Sequence, residues 1–449
     1  MQKVITKLNR AISQDILGVC IATLAFLLPY ERIPSFPVAL LGSTITIRPN
    51  QIAGALLIGL VIARNQKSFK VAMKLPYILM AAFLVASTMS ASQAQNPKRA
   101  ALVIIFTIFT MLIGSGISLS LSDRRLEWVE RALMVTTIVV IGFGAYQYFG
   151  DVIGLSPSLT GLAPNYVKAV FGFPRIQSTG LEPLYFANFL LIPFFVASAR
   201  YLTEGYKRNI WWLMLTCSVI LVMTVSRGAI IGGVIGTGVL LATLAAKRTL
   251  DIHRLGKYIY TIAAGVLIAI LLTVMPSLIT QNKKDSLGVN KAERLVRQTT
   301  NLKAQDDRQV NIALAIKAFK ASPILGIGPG NFDRFASENE PKYKKTDNQS
   351  IIVNNQFFEL LAETGILGTI SFGLFYLTLL FGLVKVIFSN SMIRSTSNIY
   401  GRWSIALLSY LVATTVQYQT FSTLYIMHIW FAIGVSFYII NQSKVKVIK

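Results

Sequence analysis

The stretch IWWLMLTCSVILVMTVSRGAIIGGVIGTGVLLATLAA, residues 210–246, decides the fold. It is apolar almost throughout and carries one charge, Arg227, near its middle. A helix that crosses a bilayer needs about 20 mostly apolar residues. The stretch therefore reads as two spanning helices, 210–226 and 229–246, joined by a turn at Ser226-Arg227-Gly228. Working outward, ten further apolar runs lie near 14–30, 51–63, 75–92, 100–121, 131–149, 184–200, 258–276, 357–384, 403–418 and 422–440. The expected fold class is an all-α polytopic membrane protein with about twelve transmembrane helices. Composition agrees: 53% of the 449 residues are hydrophobic and only 14% charged, against about 25% charged in soluble proteins. A soluble enzyme, a disordered chain and a disulfide scaffold are excluded. Cys20 and Cys217 lie inside apolar runs and read as small buried hydrophobes.

The formal net charge is +24, which in a soluble protein would point to nucleic acid. Here the basic residues sit between spans, so membrane topology is the simpler cause and no nucleic acid is expected. Short cytoplasmic segments are enriched in Lys and Arg. With the N-terminus inside, the inside segments hold 23 of the 43 basic residues and the short outside segments only seven. That asymmetry sets both termini on the cytoplasmic side. The basic start MQKVITKLNR leads into a first span without a small-residue cleavage site, so it reads as a retained helix.

Three parts follow: 1–276 with nine spans and a medium outer loop at 150–183, a large loop at 277–356, and 357–449 with three spans and a tail. A structureless loop of that size would be unusual. Within it DRQVNIALAIKAFKA (307–321) places Val310, Leu314, Ala318 and Phe319 on one helical stripe, and SPILGIGPGNF (322–332) then breaks the helix. A small helical cap on the outer face is expected. Its thirteen basic and eight acidic residues leave a positive balance where positive charge is normally scarce. GIGPGNF lacks the Lys-Ser/Thr of a P-loop and reads as a turn between two loop helices. Asp306–Asp307 reads as a solvated helix start rather than a metal site.

Three outward arginines lie at the edges of elements. Arg227 opens a span, where charge is expensive and marks function; the plainer alternative is a snorkelling cap. Arg175 lies in FGFPRIQSTGLEP, just before the sixth span, and Arg308 begins the loop helix, where Asp306 or Asp307 could pair with it. Together they suit a diphosphate, because guanidinium forks match phosphate oxygens and keep their charge. VNNQFFELLAETGILG (353–368) enters the tenth span with Asn354, Asn355, Glu359 and Glu363 as its polar residues. Either Asn caps an interfacial helix, or the polar face turns toward a substrate cavity.

Arg175 in its loop, SRGA at 226–229, the Arg308 helix running into SPILGIGPGNF, and NNQFFELLAETGILG together resemble the O-antigen ligase and polymerase superfamily, bacterial membrane glycosyltransferases of GT-C type. The resemblance covers about residues 170 to 440. It implies an undecaprenyl-diphosphate-linked glycan donor and transfer to an acceptor hydroxyl, on lipid A core or another surface acceptor. Transfer would occur at the outer face of the cytoplasmic membrane, with inversion and with neither nucleotide nor metal. The large loop would be periplasmic. Membrane lipids and envelope-polysaccharide assembly proteins are the implied partners. Residues matching Arg175, Arg227 and Arg308 would hold the diphosphate, with Gln177, Glu182, Asn355 and Glu359 as further cavity candidates. Many ligases of the family have His-Asn where this chain has Asn354-Asn355, and Asn is no base at neutral pH. Glu359, Glu363 and His428 are the candidates for that role; His428 is alternatively a core histidine bonded to a neighbour. A polymerase joining lipid-linked repeat units is the alternative enzyme. A lipid-linked glycan transporter or flippase is the alternative of another class, although the internal repeats and mid-membrane helix breaks of many transporters are not evident.

Overall fold

The computed structural model describes residues 15–40, 43–64, 74–167, 173–279, 302–343, 351–389 and 398–445. The N-terminal basic segment, Lys168 and the 280–301 part of the long loop lie outside the described residues.

Each of the apolar runs overlaps a helix, although the last, 422–440, becomes helical only from Met427. In chain order these are α1 (Ile16–Leu27), α2 (Pro49–Ala63), α3 (Lys74–Ser90), α4 (Pro97–Ser120), α5 (Asp123–Val152), α6 (Pro183–Glu204), α7 (Arg208–Met223), α8 (Arg227–Ala246) and α9 (Ile252–Ile279). The loop helices α10 (Leu302–Ala321) and α11 (Phe332–Asn339) follow, then α12 (Gln356–Phe388), α13 (Ile399–Gln417) and α14 (Met427–Val445). Among the described residues seven helices are long and apolar enough to cross a membrane, and three more are shorter apolar helices. The chain is a multi-pass, helical membrane protein. Local chemistry sets the helix starts. Proline opens α2, α4 and α6, where its missing N–H costs nothing. Asn96 and Ser122 cap α4 and α5 through their side-chain oxygens.

The centre of the bundle is α6, buried along nearly its whole length, with α13 packed on it and α14 beside it. Large apolar side chains such as Ile138, Val234 and Phe381 instead face outward without protein partners, as lipid contact requires. α8 packs along α13 through glycines four residues apart. A Cβ at Gly232 would stand 2.6 Å from the Ala413 carbonyl oxygen, and one at Gly236 would stand 2.7 Å from that of Ser409. Small residues at this spacing let two backbones approach, and Gly228, one turn earlier, meets Thr420. The start of α8 is thereby held against the chain that follows α13.

The loop does form a helical cap over its described part. Leu314, Ala315 and Ala318 of α10 share a small core with Phe332 and Ala336 of α11 and with Val353 and Ala362 at the start of α12. Two features depart from expectation. A hairpin, β1 (Phe36–Leu40) with β2 (Ser43–Ile47), pairs antiparallel with Phe36 opposite Ile47; the alternating β-branched run STITI was its signal. The connection from α13 to α14 spans 418–426, longer than the gap left between the apolar runs 403–418 and 422–440. Its groups bond sideways instead of continuing a helix: the Tyr418 carbonyl accepts the Gln356 N–H at 2.8 Å and the Leu424 carbonyl accepts Trp430 Nε1 at 2.6 Å.

Candidate active site

Arg175 is anchored at the end of α7. Its Nε donates to the Thr224 carbonyl at 3.1 Å and one terminal nitrogen donates to that of Val225 at 3.2 Å. Its own N–H bonds the Tyr166 carbonyl at 2.9 Å, and its guanidinium lies 5.5 Å from the Tyr166 ring centre. A cation on the last carbonyls of a helix is favourable. It also braces a strained turn, because the β-branched Val225 has a φ of 53°. Arg227, two residues on, is exposed at the first turn of α8, whose Ser226 makes no side-chain cap.

Arg227 comes within electrostatic reach of both Arg175 and Arg308. Partial burial lowers the pKa of Arg175 and of Arg308, and the charge of Arg227 lowers both further. Both remain cationic at neutral pH. Among the described residues neither Arg227 nor Arg308 has an ion-pair partner; Asp307 is paired with Lys342 instead. The Asp306 side chain lies outside the described residues. Glu182, immediately before α6, is the carboxylate within reach of Arg175. Burial pushes its pKa up and Arg175 opposes that shift. Three guanidiniums, one carboxylate and the open N-terminus of α8 make a basin suited to a phosphate-rich anion.

Beside this basin an apolar groove of about 280 Å³ runs between α5, α7 and α9. Ala145, Trp212, Val219 and Ile268 are among its walls, and Ile176 and Met223 form part of its lining. The Ile176 N–H donates to the Met223 carbonyl at 3.2 Å, so the groove reaches the residues next to Arg175 and Thr224.

The first turns of α12 form a second polar centre. Asn355 caps the helix, accepting the Phe357 N–H at 3.1 Å and that of Phe358 at 3.3 Å, and its Nδ2 donates to Gln419 Oε1 at 2.9 Å. Asn354 has a φ of 57° and donates its N–H to Ser422 Oγ at 3.1 Å. Glu359 accepts the Val353 N–H at 3.2 Å. Glu363 is clasped by the glycine loop: its carboxylate accepts Gly330 N–H at 2.7 Å and Phe332 N–H at 3.1 Å. The amides of GIGPGNF thus cradle a carboxylate of the chain itself, which accounts for a glycine-rich loop without P-loop chemistry.

Arg175, Arg227, Arg308 and Glu182 converge. Asn354, Asn355 and Glu359 gather at the start of α12. The two groups meet through one turn, since Gln419 bonds Asn355 while its neighbour Thr420 touches Gly228. Gln177 is buried and turned into its own loop, with Oε1 accepting Arg32 at 2.8 Å and the Ala163 N–H at 3.2 Å. His428 has no exposed surface; its Nε2 meets Asn188 Oδ1 at 2.9 Å and its Nδ1 lies 3.4 Å from Glu31. That is the arrangement of a core histidine. Sequence reasoning passed over Tyr166, Arg99 and Gln356. The last was findable, since Gln356, Glu359 and Glu363 fall at i, i+3 and i+7 on one helix face.

No curated protein matches the chain. Residues 212–373, from α7 to the first half of α12, match the family model described as O-Antigen ligase. The matched segment includes Arg227, Arg308 and the whole 353–368 stretch. Over residues 212–373, about a third of its length, the chain is similar to that family.

Proposed function

We propose that this protein transfers a glycan from undecaprenyl diphosphate to an acceptor hydroxyl at the outer face of the bacterial cytoplasmic membrane. Both termini lie in the cytoplasm. The observation that carries the reading is that Arg227, at the start of α8, lies within electrostatic reach of both Arg175 and Arg308. The diphosphate sits against these guanidiniums and the lipid tail follows the apolar groove between α5, α7 and α9. The acceptor oxygen attacks the anomeric carbon from the face opposite the diphosphate. The carbon–oxygen bond to phosphate breaks and its electron pair remains on the diphosphate. Charge that develops on the leaving group is what the arginines stabilise. Glu359 takes the hydroxyl proton in place of the histidine that many relatives have at the position of Asn354. Asn355 and Glu182 act by positioning, the first through the α12 start and the second beside Arg175.

Asn354 also supports a second reading, a polymerase that joins lipid-linked repeat units. A deletion strain separates the two. Single repeat units in place of a surface-glycan ladder identify a polymerase; full-length chains that persist on the lipid carrier identify a ligase. Arg227→Ala tests the shared chemistry. Removing a donor that stabilises developing charge costs about 10²–10³-fold in rate, so transfer should fall by that order while membrane expression is retained. Unchanged transfer in this variant rejects the diphosphate assignment.

A further inference from the structure

A second cavity, of about 120 Å³, lies between the ends of α3 and α4, the glycine loop, the first turns of α12 and residues 422–425. Its walls differ from those of the arginine basin. Ser87 and Thr107 face Gln356 and Glu359 across it, and Phe83 and Leu360 supply apolar surface. Two carboxylates, Glu359 and Glu363, line it, while the one lining cation among the described residues, Arg99, is paired with Asp333. An anion gains nothing from that balance. A neutral molecule rich in hydroxyl groups does, because carboxylate, amide and hydroxyl groups bond its edges and apolar side chains cover its faces.

One residue of the cavity wall carries a polar atom that its surroundings leave unsatisfied. Gln356 is only 2% exposed, and its Oε1 has no hydrogen-bond partner among the described residues. A buried acceptor left without a donor is costly, and rotation of the backbone does not relieve it. The Gln356 N–H is tied to the Tyr418 carbonyl and the preceding Asn355 is committed to the helix cap.

We propose that this cavity is the acceptor subsite, in which Gln356 Oε1 accepts a hydroxyl of one neutral sugar residue of the acceptor glycan, with Thr107 and Glu359 around the same ring. The inference rests on the glycosyltransferase reading above and adds to it where the acceptor is recognised and by what. The 418–425 connection then has two working sides. Thr420 touches Gly228 beside the arginine basin, while Ser422, Thr423 and Tyr425 line the sugar cavity. An acceptor held here has its reacting hydroxyl beside Glu359, the base proposed above. Donor and acceptor are told apart by charge: three guanidiniums on one side, and carboxylates with amides on the other.

The test is direct binding, independent of turnover. The probe is the free glycan released by mild acid from the producing strain's surface polysaccharide, titrated onto the purified full-length protein in lipid nanodiscs by saturation-transfer NMR. The wild type should bind it. Gln356→Leu should weaken binding about tenfold, the loss of one good hydrogen bond with its partner left unmet. Thr107→Val, on the opposite wall, should weaken it about threefold, and it carries the test where Gln356→Leu does not fold. Arg227→Ala should bind the glycan as the wild type does, and inorganic pyrophosphate should not displace it. Equal binding by the wild type and whichever wall variants fold overturns the proposal, as does a wild type that binds no glycan. Displacement by pyrophosphate, or loss of binding in Arg227→Ala, would put the sugar in the arginine basin and overturn it equally. Failure of the transferase reading itself shows elsewhere, as Arg227→Ala that still transfers glycan.

Discussion

Arg227 holds a full charge on a short turn between two apolar helices, and its neighbours show how closely that turn is built. Val225 adopts a φ of 53° and Arg175 bonds its carbonyl, so one arginine stabilises the conformation that presents another. Asn354, at the start of α12, also has positive φ. Strain of this kind persists where the surroundings over-determine it. Gly365 is the most demanding position. Its φ of 60° and ψ of −163° lie in a region open essentially to glycine, and an added Cβ would stand 2.5 Å from the Ile324 carbonyl carbon and 2.7 Å from the Leu325 nitrogen. Gly365→Ala should therefore cost about 1–3 kcal/mol from backbone strain alone, with the clash added. The expected readout is a lower yield of folded protein and a lower Tm in detergent, and a variant as stable as the wild type would contradict this account of the break. The arginines, the Asn354–Asn355 pair and Glu359 were all legible in the sequence, since each is a charge or amide at the edge of an apolar run. The direction each side chain takes was not. Gln177 looked like a cavity residue and is consumed by Arg32 and its own loop. Glu363 looked equivalent to Glu359, one turn away, yet is bonded by the glycine loop.

At the scale of elements, two contacts position the site. The glycine stripe of α8 on α13 holds Arg227 against the 418–426 connection. The break at Gly365 lets the glycine loop dock into α12, where the Ile327 N–H reaches the Ala362 carbonyl at 2.9 Å and the Ile366 N–H reaches that of Pro323 at 2.9 Å. The cap is thus locked to the first turns of α12 by backbone bonds as well as by its small core. At the other end of the bundle α5, α6 and α13 are joined by charge. Glu130 is buried, with Arg200 at 2.7 Å, Arg402 at 3.6 Å and Trp403 Nε1 at 3.1 Å. Removing one member of a buried pair leaves the rest uncompensated. Glu130→Ala should cost roughly 3 kcal/mol, read as a lower Tm in detergent, whereas Glu130→Gln should lose less because it still accepts from Trp403. The helices themselves were easy to foresee, because apolar runs of spanning length have few other solutions in a bilayer. The hairpin Phe36–Ile47 was harder to foresee: two five-residue strands between spans carry far less pattern than a spanning helix.

Across the whole molecule, the basic residues and the cap give the proposed orientation a direct check. Arg334 on α11 and His253 at the start of α9 lie at opposite ends of the bundle, and both are exposed. Cys217 is buried and Cys20 only partly accessible. In intact cells a membrane-impermeant maleimide should label Arg334→Cys and should label His253→Cys only after permeabilisation. The reverse pattern would invert the proposed topology and move the arginine basin to the cytoplasm.

The sequence by itself determined the class of this protein: many apolar helical segments, an uneven distribution of positive charge, a long polar loop with a helix in it, and motifs resembling one superfamily. These are one-dimensional properties, because hydropathy, charge and local periodicity need no knowledge of distant contacts. Only the tertiary structure decided which polar residues share a space. Arg175, Arg227 and Arg308 come from three separate segments, and the fold brings Arg227 within electrostatic reach of the other two. Gln356 becomes a buried, unpaired acceptor only when α3, α4 and the glycine loop close around it. A side chain's environment is set by elements far away in the chain, and a single sequence does not record which of them will arrive.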